Sequence, residues 1–309
     1  MSRQNFYARR KLRQRRQVDA ALVVQLVQQE RRWQPRLGTR KLRVLLRQSL
    51  DQAGVRLGRD RFFGVLRVRG LLVPPKRSEY PRTTQSYHTL PVFQNRVKSY
   101  TATGPNQVWV GDLTYLRSDE GFMYLSLLTD RMSRHIVGYH CGDTLEVSGC
   151  LAALEMALQQ LPSGAKPIHH SDRGSQYCCH EYVNRSAAAG LTMSMTETDH
   201  CAENALAERM NGILKSEYGL DQKFKTKAQL KQAVEQAITL YGTRRPHTAL
   251  GNKFPAQVHG FWPPQTPPRD ARRLGPRAHD RSRELRFGRP APVGVTPVAD
   301  HPVQPLRGR

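Results

Sequence analysis

The sequence predicts an α/β domain, a mixed sheet covered by helices, preceded by a small all-α helix-turn-helix unit. Three observations lead there. Residues 107–140 carry three strand patterns in direct succession, joined by short turns. After residue 146, strand-length segments alternate with helical periods, as they do when a sheet is covered by helices. Before residue 73, apolar residues recur only at helical spacing, with arginines on the opposite faces.

The chain opens with a basic helical arm over residues 1–34, in which Arg9, Arg10, Lys11, Arg13, Arg15 and Arg16 precede Val18, Ala21, Leu22 and Leu26 at roughly helical spacing. Gly38 and Thr39 signal a second helix, with Thr39 expected to cap its free amides. Leu42, Leu45, Leu46 and Leu50 line its packing face, and Arg40, Arg43 and Arg47 fall opposite. A third helical pattern, with Phe62, Val65 and Leu66 on one side, is stopped by Gly70. Two short basic helices joined by a Gly-containing turn suggest a helix-turn-helix over residues 35–73, a unit that can put one helix in the DNA major groove. Arg40, Lys41, Arg43 and Arg47 are its candidate DNA contacts, though such a face is equally well a solvated one.

Residues 74–92 are rich in Pro, Thr and Arg without apolar period and read as a linker. The domain that follows spans 93–262. Its strands are expected at 107–117 (QVWVGDLTYLR), 122–128 (FMYLSLL), 134–140 (RHIVGYH), 166–171 and 191–195, and its helices at 146–161, 181–189, 203–217 and 226–241. Residues 263–309 hold ten of the twenty prolines and no lysine, and read as a Pro/Arg-rich disordered tail.

Charge divides along the same boundaries. Of 49 Lys and Arg and 25 Asp and Glu, residues 1–92 hold 22 and 5, residues 93–262 hold 17 and 16, and residues 263–309 hold 10 and 4. A net charge of +24 points to a polyanionic partner, and the nearly neutral middle marks a part with another task. No stretch reaches the roughly 18 apolar residues of a spanning helix, and no signal-peptide pattern follows the basic N-terminus, so a cytoplasmic, nucleoid-associated protein without membrane contact is expected. Five cysteines, an odd number, read as free thiols of a reducing compartment.

Three acids stand out. Asp112 lies in the middle of the first strand, where a carboxylate is costly unless paired or bound to a metal. Asp172 follows the 166–171 strand directly, at the carboxyl end where open α/β sheets place their sites. Glu208 lies on the 203–217 helix, where Leu206, Met210 and Ile213 are expected to pack and Asn204, Glu208, Asn211 and Lys215 to form a polar stripe on the other side. Singly each has a bland account: Asp112 pairs with an arginine, Asp172 caps a turn, Glu208 is solvated. Together they suit phosphoryl transfer on DNA, since three carboxylates can hold two Mg²⁺ or Mn²⁺ ions about 4 Å apart against the attacking and leaving oxygens.

The segments QVWVGDLTYL, HHSDRGSQY (residues 169–177) and ENALAERMNGILKSE (residues 203–217) resemble the three blocks of the DDE integrase-core transposases of bacterial insertion sequences, relatives of retroviral integrases. Asp172 and Glu208 are separated by 35 residues, the spacing that names the D,D(35)E class. RRPHTALGNKFPA (residues 244–256) resembles the block that follows in these proteins, and RLGTRKL their N-terminal helix-turn-helix, so the resemblance runs from about residue 36 to 262. It implies an RNase H-like core with Asp112, Asp172 and Glu208 as catalytic acids and ligands of two Mg²⁺ or Mn²⁺ ions. It further implies cleavage of the ends of an element at its inverted repeats, followed by attack of the freed 3′-hydroxyl on target DNA without a covalent enzyme intermediate. Trp109, Thr114, Tyr115 and Gln176 match flanking positions, and Lys215 the place of a basic residue that contacts phosphate. Implied partners are double-stranded DNA, further copies of the chain on that DNA, and the product of an upstream reading frame.

Some positions depart from the pattern. Gly111 stands where a hydroxyl or small polar residue is usual, Glu203 where Asp is common, and residues 196–200 (TETDH) are more acidic than expected. His169, His170, Cys178, Cys179 and His180 cluster without the spacing of a zinc site. Two rivals share the same residues: a non-catalytic DNA-binding regulator, which would tolerate neutralisation of Asp172 and Glu208, and a nuclease of the same fold that cuts without joining.

Overall fold

The computed structural model describes residues 2–74, 89–197 and 204–260. Most of the expected linker, the expected tail, Glu203 and Cys201 lie outside the described residues.

Helices α1 (Arg3–Arg31), α2 (Thr39–Gln52) and α3 (Arg59–Val68) enclose a small core of their own, in which Val23 and Val27 of α1 meet Leu42, Leu46, Phe62 and Leu66. The cap of α2 differs from expectation. Gly38 occupies the cap position and makes no side-chain bond, while Thr39 is the first helical residue and is buried. After α3, Gly70 turns into the left-handed region (φ 63°), which lets Leu71 N–H reach back to the Leu66 carbonyl at 2.8 Å and closes the helix end.

Strands β1 (Val108–Ser118), β2 (Gly121–Asp130) and β3 (Ile136–Gly142) form the expected meander. Then come α4 (Val147–Gln159), β4 (Ile168–Ser171), α5 (Ser175–Cys178), α6 (His180–Ala188), β5 (Thr192–Met195), α7 (Ala205–Tyr218), β6 (Lys223–Phe224), α8 (Lys227–Arg244) and α9 (Pro255–His259). The short elements α5, β6 and α9 have no counterpart in the sequence expectation, because two to five residues are too few to show a period. Within the described residues the sheet runs β3-β2-β1-β4-β5, antiparallel across β1–β3 and parallel across β1, β4 and β5, with β6 beside the far end of β1. This is the RNase H-like order, and β1 is its central strand.

The pleat of β1 sorts the core. Even-numbered Leu116 faces α7 and α8, packing with Met210, Ile213, Leu214, Val234 and Tyr241. Odd-numbered Trp109 faces α4 and α6, packing with Leu154, Tyr177 and Tyr182. On that second face Gly138 is obligatory: a Cβ there would lie 2.0 Å from the carbonyl oxygen of Ala153, so only glycine lets α4 settle on β3.

Two carboxylates tie the N-terminal helices to this core. Glu30 of α1 takes a two-pronged bond from Arg244, 2.8 Å at each oxygen, and accepts from Gln34, which itself accepts from the Tyr218 hydroxyl. Glu217 of α7 takes a second such pair from Arg245, at 2.8 and 2.9 Å, and a bond from Lys41 of α2 at 2.8 Å. Lys41 is thereby committed within the chain, whereas Arg40, Arg43 and Arg47 are exposed.

Candidate active site

Asp112 falls on the even face of β1, so it looks toward α7 rather than α4. Its two oxygens are both occupied: Oδ1 accepts from the Leu113 N–H at 3.0 Å and Oδ2 from the Asn211 amide at 2.7 Å. Strand register brings in the second acid. β1 and β4 pair in parallel with a constant offset of sixty residues (Val108 with Ile168, Trp109 with His169, Val110 with His170), and the same offset sets Asp112 level with Asp172 just past the end of the ladder. Neighbouring strands lie about 4.8 Å apart, so two carboxylates meet at one edge. The Gly174 N–H bonds Asp172 Oδ1 at 3.1 Å, and Arg173 points away to the carbonyls of Thr196 and Glu197.

The electrostatics follow from this placement. Burial raises the Asp112 carboxyl from its ordinary 3.8 to about 7; the charge of Asp172 adds to the rise, the bonds from Asn211 and Leu113 oppose it, and Glu208 adds a smaller increment. The other two acids therefore both act on Asp112. Glu208 itself is exposed on α7.

The stripe on α7 is where expectation and structure part. Asn204, Asn211 and Lys215 do not face solvent opposite Leu206, Met210 and Ile213; they are buried, and their side chains meet β1. Asn204 donates to the Gly111 carbonyl at 3.1 Å, and the Lys215 ammonium donates to the Thr114 hydroxyl at 2.5 Å and lies 5.0 Å from the centre of the Tyr115 ring. The periodicity is as counted, but the buried arc of α7 is wide enough to take in the stripe, leaving only Glu208 on its outer rim. Asn211 is the contact that sequence reasoning missed: its position three residues after Glu208 was visible, its direction was not.

The other flanking positions are structural. Trp109 is fully buried and donates its indole N–H to Asn106 at 3.1 Å; Gln176 donates to the Leu145 carbonyl at 2.9 Å. Gly111 has a steric reason, since a Cβ there would come within 3.3 Å of the His169 ring and of Leu128. His169 is fully buried, bonded to the Tyr182 hydroxyl at 2.8 Å, and held neutral by burial, which lowers it to about 4.

Among the described residues no three His, Cys, Asp or Glu side chains are gathered closely enough to hold a metal ion. The Asp112 and Asp172 edge nevertheless fits a hard divalent cation in kind: its donors are carboxylate oxygens, and the raised proton affinity of Asp112 marks negative charge that a cation would offset.

Comparison with known proteins is in line with this architecture. Residues 102–201 and 189–255 match two families, both described as Integrase core domain, the first stretch containing Asp112 and Asp172 and the second Glu208. The chain is 36% identical to an "uncharacterized 31 kDa protein" of insertion element IS600 from Shigella sonnei, over 78% of this chain and 88% of that protein. It belongs to the integrase-core transposases of insertion sequences. It is also 34% identical to the transposase for insertion sequence element IS629 of Shigella sonnei, over 72% of this chain and 73% of that one. The HTLV-2 integrase catalytic core domain, solved in complex with magnesium, is 20% identical over 52% of this transposase-family chain and 99% of its own, with a TM-score of 0.42. Membership makes the chain a polynucleotidyl transferase by class. No helix among the described residues is long and apolar enough to cross a membrane.

Proposed function

We propose that the chain cuts DNA at the inverted repeats of its own insertion element and joins the freed ends to target DNA, with Asp112, Asp172 and Glu208 as the catalytic acids. The observation that carries this reading is that Asp112 on β1 and Asp172 just past the end of the parallel strand β4 lie level with each other, with no cation among the described residues bonded to Asp112. A protein keeps such a pair only where something offsets it.

Asp112, Asp172 and Glu208 would hold two Mg²⁺ or Mn²⁺ ions, which when bound supply charge neutralisation at the attacking and leaving oxygens of the phosphodiester. Asn211 orients Asp112 by holding Oδ2, so that the carboxylate has one preferred pose. Lys215 braces Thr114 one pleat further along the same face and keeps positive charge beneath the edge that DNA must approach. Glu208, on the rim of α7, is positioned to complete the acid set when substrate is present. Exposed Arg40, Arg43 and Arg47 on α2 supply sequence-independent grip on phosphates. The chain works as a homo-oligomer on DNA, near the nucleoid, alone or fused to the product of an upstream frame.

The test uses purified protein, labelled repeat-end DNA and Mg²⁺, and follows nicking and joining separately. Asp172→Asn and Glu208→Gln should each abolish both products while leaving DNA affinity in EDTA unchanged. Nicking and joining that survive either change would reject the assignment of the site, and nicking without joining in the native protein would make it a nuclease.

A further inference from the structure

Among the described residues, the first half of α1 takes no part in packing. Residues 2–18 are exposed throughout, Phe6, Tyr7, Leu12 and Val18 included, and the helix first becomes buried at Val23 and Val27. From Arg3 to Val18 the rod extends about 24 Å at 1.5 Å per residue. Its other end is fixed: Val23 and Val27 sit in the helical core, Asp19 pairs with Arg61 at 3.7 Å, and Glu30 is held by both prongs of Arg244. A long exposed rod on a firm base presents something.

What it presents is cation on every side. Arg3, Arg9, Arg10, Lys11, Arg13, Arg15 and Arg16 precede the first acid, Asp19. At about 100° per residue these seven fall in all four quadrants of the helix. A helix that lies on a membrane or pairs in a coiled coil needs a one-sided apolar face, and here the neighbours three and four residues from Phe6 are Arg9 and Arg10, and those from Leu12 are Arg15 and Arg16. Cations all round suit a helix with phosphates on both flanks.

We infer that residues 3–18 of α1 enter the major groove of duplex DNA as a free-standing basic helix, a second DNA contact separate from the α2 face. The major groove is about 12 Å wide, the diameter of a helix with its side chains, and its two walls are phosphate backbones. The deep, narrow major groove of A-form RNA does not admit such a rod. Gln14 and Gln17, three residues apart and so on one face, provide side-chain amides that can bond adenine edges from within the groove. Because α1 continues without a break into Glu30, and Glu30 into Arg244 of the catalytic core, DNA held by the arm is held at a set distance from the core. The inference rests on the transposase reading for the presence of duplex DNA.

The experiment uses the full chain and compares three variants with the native protein: the fourfold change Arg9→Gln, Arg10→Gln, Arg13→Gln and Arg16→Gln; Gln14→Pro, which keeps every charge and breaks the helix; and Arg40→Gln with Arg43→Gln on α2. Affinity for a labelled duplex is followed across a salt series, and groove occupancy by protection of guanine N7 from methylation. The fourfold variant should keep its melting temperature, lose at least about tenfold in affinity, lower the salt slope by about three to four, and lose N7 protection. Gln14→Pro should lose the N7 protection as well, and the α2 variant should keep it. Unchanged slope and protection in the fourfold variant, or protection that survives Gln14→Pro, overturns the inference, as does arm-dependent binding to phosphatidylserine vesicles without N7 protection. If arm-dependent protection is seen but Mg²⁺ yields no nicking or joining, the transposase reading fails and the groove contact stands.

Discussion

Asp112 and Glu217 are both largely buried carboxylates in contact with α7 or part of it, and they ionise in opposite directions. Burial pushes both up. At Glu217 the bond and charge of Arg245, followed by those of Lys41, outweigh burial and bring the carboxyl below its ordinary value. At Asp112 no cation among the described residues is bonded, the charge of Asp172 adds to burial, and the amide of Asn211 only moderates a rise to about 7. The difference separates two uses of a buried acid. A compensated carboxylate holds parts together; an uncompensated one costs stability and is a candidate for chemistry.

The sharpest way to break this comparison is to neutralise each acid in turn. Asp112→Asn should lower Mg²⁺-dependent joining by at least about 10³-fold, since a metal site contributes several kcal/mol to the transition state and each 1.36 kcal/mol is a decade. The same change should raise metal-free stability at pH 7 by on the order of 1 kcal/mol, well under the full shift because the carboxylate is partly open to water. A variant that is inactive and also markedly less stable in urea denaturation would place Asp112 in the structural class instead.

Glu217→Ala should do the reverse. Arg245, only 2% exposed, loses its partner, and unfolding free energy should fall by about 3 kcal/mol. A loss under about 0.5 kcal/mol by urea denaturation would show that the pair is solvent-screened and that the helical unit docks by other means.

A finer test is the sign of the pH dependence in metal-free protein. Glu217 has a depressed folded value, so its stabilisation is present above the ordinary glutamate range near about 4.3 and lost as pH falls below it. Asp112 has a raised folded value, so its contribution is present below 3.8 and lost as pH rises toward about 7. Stability measured from pH 3 to 8 should therefore lose its acid limb in Glu217→Ala and its decline between about 4 and 7 in Asp112→Asn. Identical profiles in native and variant proteins would remove the contrast.

Much of this was legible beforehand. Long periodic elements such as α7, α8 and the β1–β3 meander were placed within a few residues because strand alternation and helical period are local properties. The trio Asp112, Asp172 and Glu208 was marked by position in elements and by the 35-residue interval. Less legible was direction. Asn211 and Lys215 were expected on a solvent stripe and are buried against β1, because which arc of a helix is covered depends on what it packs against. Thr39 was expected to cap α2 and instead begins it. Lys41 was grouped with exposed arginines, and nothing local distinguishes it from Arg40 or Arg43; its partner Glu217 is 176 residues away.

By itself, then, the sequence determined the elements and the division of charge between basic ends and a neutral middle, which depend on composition and on neighbours within a turn or a strand, and it nominated three acids by their places in those elements and their spacing. Tertiary structure decided which acids meet and which are compensated. The sixty-residue offset of β1 and β4 sets Asp112 beside Asp172, and the docking of α2 and the end of α8 onto α7 supplies Glu217 with cations. Both outcomes turn on desolvation and charge at distances of a few ångströms between residues far apart in the chain, and only the folded backbone sets those distances.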